Sequence, residues 1–200
     1  STPIKSSAAS DVYKRQDYDV SSYCYRHSRR DWKVSAYDKG YGINYDGDSR
    51  KPEYLIDGEK KTNWSSGKIN DKPLELPYYI IFDLNKVSDI DGVYLANGYS
   101  NQCLADVHVE YIGSEVADPY DINAPWETLL QVTDPNVVRA NLKNERFFDC
   151  PRTQARYLRL KISNPNTIVF KSDSDLTEEE KANQKKYHSF AEFGTYYKKP

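Results

Sequence analysis

The sequence predicts an all-β domain, and three observations carry that prediction. Short apolar stretches bounded by turn residues recur along the chain, and no helical stretch long enough for a parallel-sheet crossover separates them. One of them, 107–112, alternates apolar with polar residues in the manner of a half-buried strand. The stretches are 78–84 (YYIIFDL), 92–96, 107–112, 126–132, 146–150, 156–162 and 190–197. Their number and spacing favour an antiparallel β-sandwich over an α/β sheet.

The elements follow in chain order. Residues 6–16 (SSAASDVYKRQ) look like an in-frame translation of the transposon adapter used in preparing DNA sequencing libraries, so 1–16 are expected to be non-native. Residues 17–31 are polar, with Arg26, Arg29 and Arg30 close together, and are expected to form a linker or the tail of a preceding domain. Regular structure is expected from Trp32, and the sandwich from 32 to 199. In 107–112, Val107, Val109 and Tyr111 alternate with His108 and Glu110, which turns His108 toward solvent. One short inserted helix near the C-terminus is expected in 176–187, where Thr177 and Glu180 have the T-x-x-E form of a capping box. Its Lys/Glu/Gln-rich face reads as solvated.

Composition narrows the function classes. Two hundred residues, 38% of them hydrophobic, suffice for one domain with its own core. The 28 Lys plus Arg nearly cancel the 30 Asp plus Glu, leaving no electrostatic footprint for nucleic acid. The longest apolar run falls far short of the ~18 residues of a membrane span, and mean hydropathy is −0.84, so membrane insertion is not expected. Tyrosine dominates the aromatics, 18 against 6 Phe and 3 Trp, a mix that suits sugar-binding and adhesive surfaces because its flat apolar face ends in a polar tip.

Catalytic patterns are missing. His27, His108 and His188 show no metal-ligand spacing, and neither a Gly-x-Ser-x-Gly turn nor a phosphate loop occurs. Cys24, Cys103 and Cys150 are odd in number without a C-x-x-C, which argues against both a disulfide framework and a zinc knuckle, and Cys24 lies outside the expected core segments. The N-W-S sequon at Asn63 reads as coincidence. A non-catalytic domain is expected, with any enzyme upstream in the same polypeptide.

Several segments, taken in order, resemble the discoidin, or F5/8 type C, domain and its relatives among the family 32 carbohydrate-binding modules. LIDGEKKTNWSS at 55–66 resembles the family's A-x-DG-xxx-T-x-W-x-S segment, and PYYIIFDLNKVSDIDGVYL at 77–95 resembles its strand pair. APWETLL at 124–130 stands where the family has DG-x-x-W, ARYLRLKI at 155–162 is similar to aRYlRl, and FAEFGTYY at 190–197 resembles the closing strand. The family glycine after DL is Asn85 here, and the Arg and Asn of galactose-binding members are not in place in ANGYSNQCLADVHV. The resemblance implies a galactose-binding-like jelly roll of two antiparallel sheets, with ligand loops at one end and binding rather than catalysis as its function. It also implies core positions for Trp64 and structural roles for Arg156 and Arg159.

It further implies a structural calcium at Asp57, Thr62 and Glu192, with backbone carbonyls completing the site. A tight DG turn offers the ion several of the ~6 to 8 hard oxygens it takes. Ligand-binding residues are expected on long polar loops carried by the rigid sandwich. These are Tyr37, Tyr41, Tyr45 and Arg50 in the first, Asn97, Tyr99, Asn101 and Gln102 in the middle, and Tyr187 and His188 in the last. Amides beside an aromatic suit a sugar, whose hydroxyls need paired donors and acceptors and whose ring needs a flat apolar partner. The expected partner is a glycan, the alternative being protein or extracellular matrix adhesion or a spacer role. The expected setting is a monomeric domain of a larger extracellular or cell-surface protein.

Overall fold

The computed structural model describes residues 24–38, 41–43, 50–66, 68–69, 72–73, 75–98, 106–121, 123–133, 145–164, 177–184 and 186–200. The strands are β1 Cys24–Arg26, β2 Lys33–Asp38, β3 Tyr41–Ile43, β4 Trp64–Ser65, β5 Lys68–Ile69, β6 Lys72–Pro73, β7 Tyr78–Asn97, β8 Val107–Ile112, β9 Glu127–Val132, β10 Glu145–Ile162 and β11 Ser189–Lys198. A 3-10 turn, Pro52–Leu55, precedes β4, and helix α1, Glu178–Gln184, precedes β11. The all-β reading and the helix near the C-terminus both hold. In α1 the expected capping box is formed: Glu180 N–H donates to Thr177 Oγ1 at 3.2 Å, and Thr177 N–H donates to Glu180 Oε2 at 2.7 Å.

Two pairs of expected strands are each one continuous strand. β7 joins 78–84 to 92–96, and β10 joins 146–150 to 156–162. Both run through the two layers of the sandwich, so the layers belong to a single curled antiparallel sheet. One layer contains β3, β2, the first half of β7, the second half of β10, β8 and β9; the other contains β1, β11 and the remaining halves of β7 and β10. β7 turns its corner at Asn85, whose φ of 66° lies in the left-handed region that glycine usually supplies. Asp83 holds the corner by accepting the Asn85 N–H at 2.7 Å. β10 turns through register shifts between Asp149 and Thr153 and between Ala155 and Tyr157.

Apolar side chains of both layers fill the space between them. Phe82 of one layer stacks on Phe193 of the other at 4.1 Å, and Trp64 stacks on Phe190 at 5.6 Å. Trp32 and Trp64 are buried in this core.

Three local readings are corrected. Residues 24–31 are not a free linker, because Cys24–Arg26 pairs with β11 and Cys24 is buried beside Tyr94 and Tyr196. The arginines there have distant partners: Arg26 donates to both carboxylate oxygens of Glu145, at 2.7 and 2.9 Å, over the ring of Tyr94. His108 does not face open solvent. Its side chain is 12% exposed and lies 3.5 Å from Glu110, and burial lowers its pKa. Finally, Glu110, on the same face as His108, is also buried, because Arg159 and Lys161 of β10 cover its carboxylate.

Candidate functional site

The register brings strand ends that flank the expected ligand segments to one end of the sandwich. Tyr78 pairs with Asp38 on one side and Ile162 on the other, and Asn97 pairs with Phe190. Trp64 ties the two layers together at this end: it pairs with Phe190, and its ring lies 6.2 Å from that of Tyr78. The strand ends at Asp38, Asn97 and Ile162 therefore sit close together.

Beneath them lies a rigid floor. Ser66 N–H donates to the His188 carbonyl at 2.9 Å, and His188 N–H donates to Ser66 Oγ at 3.0 Å. Ser189 Oγ donates to the Trp64 carbonyl at 2.8 Å, and Asn63 Nδ2 donates to Ser189 Oγ at 2.8 Å. Gly98 closes the floor, donating to the Ser189 carbonyl at 3.0 Å. A Cβ at Gly98 would stand 2.3 Å from Ser189 Oγ, so the tight passage of the chain from β7 requires glycine.

The expected ligand residues are distributed as follows. Tyr41 lies in β3, on the strand that pairs through β2 to Tyr78, and Asn97 ends β7. Tyr37 lies in β2, while Arg50 and Tyr187 are half-buried. Tyr45, Tyr99, Asn101 and Gln102 lie outside the described residues, as does Cys103. His188 is a correction. It is fully buried, with Nδ1 2.6 Å from the Tyr78 hydroxyl, and it supports the floor instead of reaching a ligand. Burial lowers its pKa to about 4, so the ring is neutral. The partners of the floor are separated by about ninety residues or more, and no local pattern in the sequence signalled them.

At the DG turn, Asp57 Oδ1 accepts the Glu59 N–H at 2.8 Å, and Thr62 Oγ1 lies 2.7 Å from both Asp57 Oδ2 and the Glu59 carbonyl. Glu192 on β11 is buried, and burial pushes its carboxyl up to about 7 against the opposing pull of Arg29. Of the expected calcium ligands, Glu192 is already engaged by a cation of the chain itself. Arg29 Nη1 donates to Glu192 Oε2, to the Leu55 carbonyl at 3.2 Å and to the Phe193 carbonyl at 2.9 Å, so one Glu192 oxygen and two nearby carbonyls already face a guanidinium. Among the described residues, no three His, Cys, Asp or Glu side chains group as metal ligands.

A groove of about 500 Å3 lies at the opposite end, beside the β7 and β10 corners, lined by His27, Lys86, Val87, Asp89, Arg152 and Tyr197. It shares no residue with the expected ligand loops. Arg156 and Arg159 are held structurally: Arg156 pairs with Asp83 and Glu115, and Arg159 pairs with Glu110 between the rings of Tyr79 and Trp126.

A curled antiparallel jelly roll is the fold shared with structurally similar carbohydrate-binding modules. Residues 33–172 match the F5/8 type C domain, and the chain belongs to that family. Among solved structures, a family 32 carbohydrate-binding module from Clostridium perfringens NanJ in complex with galactose is 15% identical, with a TM-score of 0.56 over 87% of this chain and 99% of that one. A second Clostridium perfringens module, solved with GalNAc-β-1,3-galactose, is 15% identical, with a TM-score of 0.57 over 86% of this chain and 99% of that one. A putative chitobiase fragment from Bacteroides thetaiotaomicron is 21% identical, with a TM-score of 0.59 over 90% and 96%. Among curated proteins, no sequence matches.

Proposed function

We propose that this domain binds a glycan at the end of the sandwich where Tyr78, Asn97 and Ile162 meet, without catalysing a reaction. The single observation behind this reading is the convergence of the strand ends there over the floor built by Trp64, Ser66, His188 and Ser189. A fixed floor holds loop residues in a set geometry, which lowers the ordering cost of binding. Tyr41, Tyr45, Arg50, Asn97, Tyr99, Asn101 and Gln102 supply the contacts: tyrosine faces for the sugar ring, amides and guanidinium for its hydroxyls. His188 acts from beneath. The sugars held by the two Clostridium modules support a glycan as ligand.

In this reading the domain works outside the cell or on its surface, tethering an enzyme in the same polypeptide to its glycan and so raising the local substrate concentration. A Ruminococcus gnavus GH29 fucosidase supports the arrangement: this chain covers 27% of it, at 17% identity and a TM-score of 0.56. A glycan array probed with the purified chain, followed by titration of each hit, tests the proposal. Competable binding to a defined sugar supports it. Silence from a folded sample overturns it in favour of protein adhesion or a spacer role.

A further inference from the structure

We infer that the cation tying the DG turn to the last strand is the guanidinium of Arg29, and that the domain needs no calcium for its stability. Three acceptors from two distant parts of the chain converge on one atom, Nη1: the Leu55 carbonyl before the turn, and the Glu192 carboxylate and Phe193 carbonyl on β11. Convergence of carbonyl and carboxylate oxygens is how proteins hold a hard cation. Arg29 fills the same need with a planar, permanently charged donor group.

The group is in the right place to do so. Its side chain is 13% exposed and that of Glu192 is 2% exposed, so the pair is shielded from water. A Cβ built on Gly58, in the DG turn itself, would have Arg29 Nη2 as its neighbour at 3.8 Å. A divalent ion centred among these oxygens would meet the guanidinium at contact distance. Like-charge repulsion then disfavours its entry. Glu192 Oε1 is buried without a hydrogen-bond partner and is the oxygen that a calcium titration probes.

The clasp also has a position that matters. Arg29 and Glu192 both lie outside residues 33–172, the part that matches the family domain. The clasp therefore joins the segment before β2 to β11, and through Leu55 to the turn that leads into Trp64 and the floor. A fragment cut at 33 loses it.

The test is melting of the full chain in excess calcium and in excess EDTA, with calorimetric titration of calcium chloride. Superimposable melts and no binding heat are expected. Arg29→Met should lower the melting temperature by roughly 6–20 °C, because it strands a buried carboxylate. Adding Glu192→Gln to that variant should recover part of the loss, since it removes the stranded charge. A calcium-dependent rise in the wild-type melting temperature would overturn the inference, and so would wild-type melting of Arg29→Met. Should Arg29→Met fail to fold, the wild-type calcium measurement still decides, and neither result depends on whether a glycan binds.

Discussion

Phe82 and Phe193 stack across the core with ring centroids 4.1 Å apart and planes 16° from parallel. Phe82 comes from the layer built on β2, Phe193 from the layer built on β11, and each is completely or almost completely buried. Their contact closes the curled sheet into a sandwich. Phe193→Ala should therefore cost about 3–5 kcal/mol through lost burial and a cavity that the sheet cannot collapse to fill. Chemical denaturation, read by the shift in midpoint at constant slope, measures it.

β7 and β11 carry a reciprocal pair of glycine and tyrosine contacts. Gly92 pairs with Tyr196 and Gly194 with Tyr94, and a Cβ on either glycine would stand within 2.5 Å of the facing ring. Gly194→Ala should destabilise by roughly 1–3 kcal/mol or more, since the ring is held by Phe147 and by Arg26 and cannot retreat cheaply. Thermal melting of the variant beside wild type tests this.

His188 gives the fold an acid-sensitive point. Its folded pKa of about 4 lies below the ordinary value of 6.5, because burial disfavours the charged ring. Below pH 6.5 the unfolded chain takes up a proton that the fold excludes. Stability should thus be unaffected by this group above pH 6.5, and fall progressively as pH drops toward 4, by about 3 kcal/mol in all. His27, also lowered by burial, acts in the same sense. Glu192, raised to about 7 by burial, acts in the opposite sense over the same range, so the His188 loss is read as the difference between the urea midpoints of wild type and His188→Gln as pH falls.

Tyr99→Ala should leave the melting temperature unchanged and weaken glycan binding more than about tenfold, the loss expected of an aromatic anchor. Tyr197→Ala provides the contrast. Tyr197 lines the groove at the other end of the sandwich, so its removal should leave glycan affinity within about twofold of wild type. Titration calorimetry with the sugar identified on the array would separate the two. Equal losses from both would move the binding site away from the loop end.

The sequence by itself determined the class of this protein. Apolar stretches bounded by turn residues mark where strands run, because alternation and turn chemistry are local: β8 spans 107–112 as read, and β9 and β11 differ from the reading by a residue or so at their ends. The capping box of α1 is equally local, its two members being three residues apart. The motifs at 55–66, 77–95 and 155–162 carried the family. Only the tertiary structure decided which residues stand together. Arg29 read as part of a polar linker, yet its partner Glu192 lies 163 residues away; His188 read as a loop ligand, yet Tyr78 holds it inside from 110 residues away. His108 read as facing solvent, yet its side chain is only 12% exposed beside Glu110, which Arg159 and Lys161 of the neighbouring strand cover. In each case a polar side chain is buried against a partner distant in sequence, and the tertiary fold supplies that partner.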